Sequence, residues 1–360
     1  MMLTIYTLFN DPNIVNAVIQ RVLQTRKDTI YWQQYLDFRR TTTRVLKDYI
    51  GQVTGVMAGS INSRYGEKPI RERRNIGSGY GEIAYLGDRY QISIDRLSEL
   101  QDLVDKFNAA KTADQVAAMQ DIVNFIYDDY RQVLLAAHKR MDIVVGSLLM
   151  TGKAQVKNKD DNAGGIDLLD IELPFKFITP EAGAKANFIT YLQQQINELK
   201  AVYGNFPKMI MSRGTFVKNI IGSSEFGDKF KMQLTGNEMY MSTGLITSQL
   251  ASSVFTGIWL PAIEIKEDYV LDQSGKNVQI YADNRITLLP QDKIGYMRFH
   301  TPYEAVDGVP GRNYSQADGD MLISGYKDGN GRYLEYTAEW IPQISTPNQI
   351  VNFDLSTMNA

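Results

Sequence analysis

The sequence predicts an elongated α+β fold, and three features of the chain indicate it. Residues 93–109 and 113–150 carry apolar side chains at the three- and four-residue steps of amphipathic helices. Residues 180–300 combine a further long helical pattern with short β-rich runs separated by turns. Helix, strand, helix and four later strands in one segment are typical of a mixed α+β unit.

Composition limits the classes of protein that fit. The chain has 360 residues, enough for two or three compact units, and a net charge of −3, which argues against a large basic surface for nucleic acid. No run is long and apolar enough to span a membrane, and the N-terminus lacks signal-peptide features, so we expect a cytoplasmic protein without a membrane partner. The absence of Cys excludes disulfides and thiolate metal sites.

The N-terminal part begins with a helical pattern and then loses its periodicity. Asp11 and Pro12 open a helix over residues 12–24, with Asp11 as the N-cap. Residues 25–50 mix aromatic and polar side chains without a clear period. An extended arm lying on a neighbouring subunit fits this pattern, and so does an ordinary irregular surface segment.

The next segment, residues 51–90, is rich in Gly and charge. Few apolar residues occur between residues 60 and 79, so this part projects from the fold rather than packing in a core. Val53–Val56 and Glu82–Leu86 could pair as the legs of a long hairpin; a disordered surface loop is the alternative. Residues 77–81 are rich in Gly but lack the Lys-Ser/Thr pair and strand–helix frame of a phosphate loop. The basic side chains of the segment are Arg64, Lys68, Arg71, Arg73 and Arg74.

The helix over residues 113–150 is the longest predicted element. Thr112 and Gln115 match a capping box, and Gly152 supplies the stop. Strict heptads are not maintained; polar patches, which include Asp128 and Asp129, surround one apolar stripe that contains Val116. The pattern is that of a rod of about 57 Å laid across a sheet.

The second half alternates helical and extended patterns. A helix from about residue 180 to Gly204 directs one apolar face inward; a strand at residues 208–211 and a short helix at 213–221 follow. Gly275 can take the positive φ of a hairpin between two β-rich runs. The inward side chains of the helix are expected to be Phe188, Ile189, Leu192, Ile196, Leu199 and Val202.

Four stretches resemble the lambda-type major capsid protein family. They are the long helix running into SLLMTGKAQV (113–156), PKMIMSRGTFVKNI (207–220), the run of strands and turns at 269–305, and EYTAEWIPQISTPNQIVNFDLS (335–356). Each motif is loose, but their order is specific, and the resemblance covers residues 50–356. It implies an α+β HK97-like major capsid protein fold. The implied parts are an N-terminal arm (1–49), an extended loop or E-loop hairpin (50–92), a peripheral domain (93–178) with the long spine helix, an axial domain (179–300), and a return to the peripheral domain with C-terminal strands (301–360).

The resemblance also implies a function and a set of partners. The chain would assemble with itself into hexamers and pentamers of an icosahedral shell around packaged double-stranded DNA, contacted non-specifically, in a tailed bacteriophage. The shell would form in the bacterial host cytoplasm and become the virion capsid. A portal protein, a separate scaffold protein and a decoration protein are the further partners implied.

Within that reading, the basic loop has an expected role. Arg71, Arg73 and Arg74, with Arg64 and Lys68 nearby, would meet carboxylates of an adjacent subunit near Asp128 and Asp129 of its long helix. The planar guanidinium of Arg suits such pairing with two carboxylate oxygens.

Two other classes of function remain open from sequence. An encapsulin-like nanocompartment would share the fold but enclose a cargo enzyme. An enzyme would have to use the acidic residues between 160 and 170, where Asp160 and Asp161 occupy a predicted hairpin tip without the spacing of a calcium loop. His138 and His300, the only His residues, are expected to be packing or surface polar residues. We therefore predict no catalytic, cofactor or metal site, and no Lys–Asn cross-link.

Overall fold

The fold consists of two units, each with a β-sheet and a hydrophobic core of its own. The computed structural model describes residues 2–25, 29–49, 78–157, 167–223, 225–226, 248–271, 275–329 and 331–359. The predicted α+β class is confirmed. Within the described ranges, no helix combines the length and the hydrophobicity that a bilayer-spanning segment needs.

Helices and strands alternate irregularly along the chain. The described helices are α1 (Ile5–Asn10), α2 (Pro12–Thr25), α3 (Ile94–Ala109), α4 (Gln115–Thr151), α5 (Phe188–Tyr203), α6 (Arg213–Thr215, continued by a π-helical stretch Phe216–Ile221), α7 (Ser248–Gly257) and α8 (Ser356–Asn359). The described strands are β1 (Leu36–Arg40), β2 (Val45–Tyr49), β3 (Ser78–Glu82), β4 (Ala84–Ile92), β5 (Lys153–Lys157), β6 (Asp167–Glu172), β7 (Lys176–Ile178), β8 (Lys208–Ser212), β9 (Ala262–Lys266), β10 (Tyr269–Leu271), β11 (Asn277–Gln279), β12 (Arg285–Leu289), β13 (Gly295–His300), β14 (Tyr314–Ala317), β15 (Met321–Asp328), β16 (Gly331–Ile344) and β17 (Val351–Asp354).

The first unit is a long helix packed on a sheet. Strand β16 is central: the sheet runs β1-β13-β16-β15-β14, and β4 also pairs with β16. Helix α4, 37 residues and about 55 Å long, packs against this sheet through buried side chains at three- and four-residue spacing. These side chains are Ile122, Ile126, Tyr130, Val133, Leu134, Ala137, Met141, Val144, Val145 and Leu148.

The ends of α4 test the predicted signals. Gly152 ends the helix in the left-handed region with φ 69°, as predicted. The capping box is wrong, because the N-cap is Asp114 and its side chain makes no capping bond. The prediction that Val116 belongs to the apolar stripe is also wrong. Val116 is 79% exposed and lies in the first turn, before α4 reaches the core.

The N-terminal residues pack in this first core, which corrects the prediction of an extended arm. Trp32 and Tyr35 are buried, and the Trp32 amide donates to Asp142 Oδ1 of α4 at 2.9 Å. Burial raises the pKa of Asp142 to about 6, while the Trp32 amide and the Lys139 ammonium stabilise its charged form. Strand β1 pairs in parallel with β13. Burial of these rings fixes residues 30–40 on their own subunit.

The second unit has a five-stranded sheet in the order β7-β17-β12-β8-β9. Helices α5 and α7 contribute to its core, together with the strands. Five of the six side chains predicted to point inward from α5 are buried; Val202 is wrong, being 74% exposed in the last turn. The short helix predicted at residues 213–221 is present as α6 and its π-helical continuation.

The chain crosses between the units earlier than predicted. Strand β12 belongs to the second sheet and β13 to the first, so the crossing lies between Leu289 and Gly295 rather than at residue 300. Strand β17 then returns to the second sheet, which corrects the expected return of all of residues 301–360 to the first unit. The remaining domain limits stay predictions.

Two predicted hairpins are present in outline. Strands β10 and β11 pair antiparallel, and Gly275 has φ 75° as its turn requires. Strands β5 and β6 also pair antiparallel, flanking the predicted acidic tip. Asp160 and Asp161 themselves lie outside the described residues.

Candidate assembly surface

A pair of strands flanks the predicted projecting loop. Strands β2 and β3 pair antiparallel from Val45 opposite Glu82 to Tyr49 opposite Ser78, so the residues on either side of the predicted loop are neighbours. The legs that the structure describes are β2 and β3; in the predicted second leg, Glu82 pairs with Val45, and residues 84–86 pair with β16. Arg64, Lys68, Arg71, Arg73 and Arg74 lie between the legs and outside the described residues, as does the predicted leg at 53–56.

A buried carboxylate anchors the root of this strand pair. Glu339, in the middle of β16, is 4% exposed. Arg44, the residue before β2, donates to it twice: Nε to Oε2 at 3.1 Å and Nη2 to Oε1 at 2.8 Å. His300 Nδ1 lies 2.9 Å from the same Oε2. On its other side Arg44 accepts through its carbonyl from the Ile83 amide at 3.0 Å, so both legs are tied to the first sheet at one point.

Sequence reasoning missed this anchor. Glu339 lies in the strand-like sequence EYTAEW, among apolar and aromatic residues. In such a pattern a charged residue is predicted to face solvent. Its partners are 295 and 39 residues away along the chain. The one available signal was His300, which occurs at the end of a predicted strand.

We expect Arg44→Ala to loosen the strand pair without unfolding the protein. Glu339 would still have His300 as a partner, and Arg44 is half exposed. The variant should therefore lose about 1–2 kcal/mol of unfolding free energy, less than when one partner of a fully buried ion pair is removed. Hydrogen exchange should become faster in β3 while β15 keeps its protection. Arg89→Ala is the matched control, since Arg89 bridges the more exposed Glu335 at 3.4 Å. Unchanged protection of β3 in Arg44→Ala would contradict the anchoring role.

The acidic pair of the long helix divides into two different environments. Asp129 Oδ2 accepts from Arg96 Nε of α3 at 2.9 Å, and Arg96 Nη2 donates to the Phe125 carbonyl at 2.7 Å. Burial raises the pKa of Asp129, against the lowering effect of Arg96. Asp129 therefore links α4 to α3 within the chain, and its expected contact with a neighbouring subunit stays a prediction. Asp128 is exposed and can make the same contact.

The two His residues have structural surroundings. His138 is buried in an aromatic cluster, with ring centroids 5.7 Å from Trp32 and 4.9 Å from Trp340. His300 contributes to the Glu339 anchor. Across the ranges that the structure describes, no group of three or more His, Cys, Asp or Glu side chains could hold a metal ion. Their geometry indicates packing and anchoring.

Comparison with known proteins identifies the architecture. No protein-family model and no curated protein matches the sequence. Among solved structures, a prophage protein of E. coli CFT073 assigned as a capsid protein aligns with a TM-score of 0.59, at 12% identity, over 96% of this chain and 98% of its own. The chain has the HK97-like capsid fold. A phage-related protein of Bordetella bronchiseptica RB50 aligns over the same shares of the two chains, with a TM-score of 0.53 and 8% identity.

The assignment of the two units to a peripheral and an axial domain, and of residues 50–92 to an extended loop, stays a prediction. The identities of 12% and 8% are too low to carry residue roles from these structures to this chain.

Proposed function

We propose that this chain is the major capsid protein of a tailed double-stranded DNA bacteriophage. In this role it assembles with itself into hexamers and pentamers of an icosahedral shell that encloses the genome. The observation that supports this most directly is the match of the whole two-unit architecture, over 96% of the chain, to a prophage protein assigned as a capsid protein. The lambda-type family is the finer form of the proposal and rests on the ordered sequence motifs.

The physical properties of the chain suit such a shell. A closed symmetric assembly repeats each contact many times, so modest contact energies add up to a stable particle. Strands β2 and β3 flank residues 50–77, whose sequence supplies five basic side chains for contacts with a neighbouring subunit. With a net charge of −3, the chain fits non-specific rather than tight contact with packaged DNA.

The further partners follow from the lambda-type resemblance. They are a portal protein, a separate scaffold protein and a decoration protein on the shell. Assembly would take place in the bacterial host cytoplasm, and the mature location would be the virion. An encapsulin-like compartment is the alternative, and it would hold a cargo enzyme in place of DNA.

Electron microscopy tests the proposal. The purified chain, alone or with a co-expressed scaffold protein, is expected to form shells, rings or tubes in negative stain. Particles isolated from phage-producing cells should contain nuclease-resistant DNA, whereas a nanocompartment would contain protein cargo. A chain that stays monomeric at high concentration under both conditions would contradict the proposal.

The basic loop gives a second, local test. Reversing the charge of Arg71, Arg73 and Arg74 to Glu should prevent normal shells while the thermal unfolding curve stays unchanged, because the expected contacts are between subunits. Adding Asp128→Arg should restore part of the yield, since the two reversed charges would again be opposite. The control reverses three exposed cations elsewhere, Lys106, Lys111 and Lys185. Normal shells from the loop variant would exclude this role.

A further inference from the structure

The second unit carries an exposed Trp at a position where helices ordinarily place Gly. Trp259 follows α7 with φ 67° and is 77% exposed. The Leu260 amide donates to the Phe255 carbonyl at 2.8 Å, and the Trp259 amide donates to the Thr256 carbonyl at 3.2 Å. This bond pair is a Schellman motif, whose left-handed residue is usually Gly because a side chain there is strained. The turn is stable in spite of Trp259, not because of it.

The turn that carries Trp259 is held firmly on α5. Lys200 Nζ donates to the Trp259 carbonyl at 3.1 Å, and Gln193 Nε2 donates to the Ile258 carbonyl at 2.9 Å. Gln193 and Lys200 are seven residues apart and therefore lie on one flank of the helix. The backbone of the turn is thus held in place, which lowers the entropy that a contact would cost. We call Trp259 the knob.

The opposite flank of α5 forms a groove against the edge strand β7. The groove has a volume of about 480 Å³. Its apolar wall includes Phe177, 42% exposed, and Val202, 74% exposed, and Glu198 stands at its rim. Strand β7 ends the sheet on this side, and β9, which follows the knob, ends it on the other. Four strand spacings separate these edges, about 19 Å.

We propose that the knob of one copy of this chain inserts into the groove of a second copy. The proposal deepens the proposed function, on which it rests, by naming the residues of one contact within a capsomer. One occupant accounts for both a strained, exposed Trp and an exposed apolar groove on the same unit. Lys200, which bonds to the Trp259 carbonyl, can pair with Glu198 in the groove lining, where Lys176 is the other charged side chain.

Knob and groove are different surfaces of one chain, so the contact can repeat around a ring. In the capsomer that the proposed function requires, each copy gives its knob to one neighbour and receives a knob from the other, which is a heterologous contact. Such contacts close into rings when the rotation permits. A single Trp buries far less than the roughly 1,200–2,000 Å² of a stable pair, so the contact acts as one part of a larger repeated interface.

Two substitutions test the contact without disturbing the fold. Trp259→Gly removes the knob and should raise the midpoint of urea unfolding, because Gly adopts the left-handed turn without strain. Val202→Arg fills the groove from an exposed position. Each should lower the yield of shells at least tenfold. Val116→Arg is the control, since Val116 is equally exposed but lies on α4 of the other unit.

A disulfide trap tests which surfaces meet, and the chain suits it because it contains no Cys. Thr256→Cys places a thiol beside the knob, and Lys176→Cys places one beside the groove; both positions are exposed. A mixture of the two variants should form a mixed disulfide dimer under mild oxidation, at least fivefold more than either variant alone. Adding Trp259→Gly to the Thr256→Cys chain should abolish that excess.

The outcomes separate this inference from the proposed function. Shells of normal yield from both Trp259→Gly and Val202→Arg would overturn the knob-and-groove contact while leaving the capsid proposal in place. A wild-type chain that forms no shells, either alone or with a scaffold protein, would overturn the capsid proposal, and the disulfide trap would still decide whether knob and groove meet. Equal dimer yields from mixed and unmixed Cys variants would overturn the contact.

Discussion

Leu134→Pro is expected to lower the unfolding free energy by more than about 3 kcal/mol and to abolish assembly. Leu134 is 1% exposed in the middle of α4. Proline removes the amide that bonds to the carbonyl four residues earlier, its ring clashes with that carbonyl, and a buried Leu side chain is lost as well. Because α4 contacts β16, β4, α2 and α3, a kink at this point disturbs the whole first unit.

Two controls isolate the effect of the helix. Leu134→Met conserves the buried volume and should cost less than about 1.5 kcal/mol. Val116→Pro places the same ring in the exposed first turn of α4, where proline is tolerated. Urea denaturation and light scattering measure stability and assembly. Soluble, well-assembled particles from Leu134→Pro would contradict the assignment of α4 as the spine of the fold.

The course of α4 was predictable because its signal is local. Apolar side chains recur at helical spacing over the predicted 113–150, and the observed Gln115–Thr151 differs by two residues at its start and one at its end. Two side chains that were predicted to point inward are exposed near helix ends: Val116 in the first turn of α4 and Val202 in the last turn of α5. Periodicity gives the direction of a face but not the extent of its partner.

The N-terminal segment was not predictable in the same way. Its burial depends on partners far along the chain: the Trp32 amide bonds to Asp142, and Leu36 pairs with Gly295. No local pattern encodes these pairings. The position of the crossing at residues 290–294 was not predicted for a related reason. The sequences of β12 and β13 have similar strand signals, and only their neighbouring strands place them in different sheets.

The candidate surface was predictable only in part. The β2–β3 pair lies close to the predicted position of a hairpin, because a segment with few apolar residues indicates where the packed part of the chain ends. The ion pairs that organise its surroundings were not foreseen. Arg96 forms an ion pair with Asp129, and Arg44 forms one with Glu339. In each case the packing of separate elements brings the Arg next to its carboxylate. Sequence identifies charged residues, but the fold decides which of them remain available to another subunit.

Gly146 in α4 marks the closest approach between that helix and the segment after β11. A Cβ at this position would lie 2.4 Å from the Ile280 carbonyl oxygen and 2.6 Å from Ile280 Cγ2. The segment cannot easily retreat, because the Ile280 amide donates to the Asp268 carbonyl at 3.0 Å and the Tyr281 hydroxyl lies 2.6 Å from Thr287 Oγ1. Gly is therefore retained inside the helix although it costs about 1 kcal/mol in helix propensity relative to Ala.

We expect Gly146→Ala to destabilise the protein by about 1–3 kcal/mol, and Gly146→Val by more, because added volume forces backbone shifts in a packed core. The control is Gly183→Ala in the turn Ala182–Lys185, where an added Cβ meets nothing within 4 Å. That change should be neutral or stabilise by up to about 1 kcal/mol, since it reduces the entropy of the unfolded chain. Urea midpoints of the three variants provide the comparison. A gain in stability from Gly146→Ala, like that expected of Gly183→Ala, would contradict the close packing of α4 on Ile280.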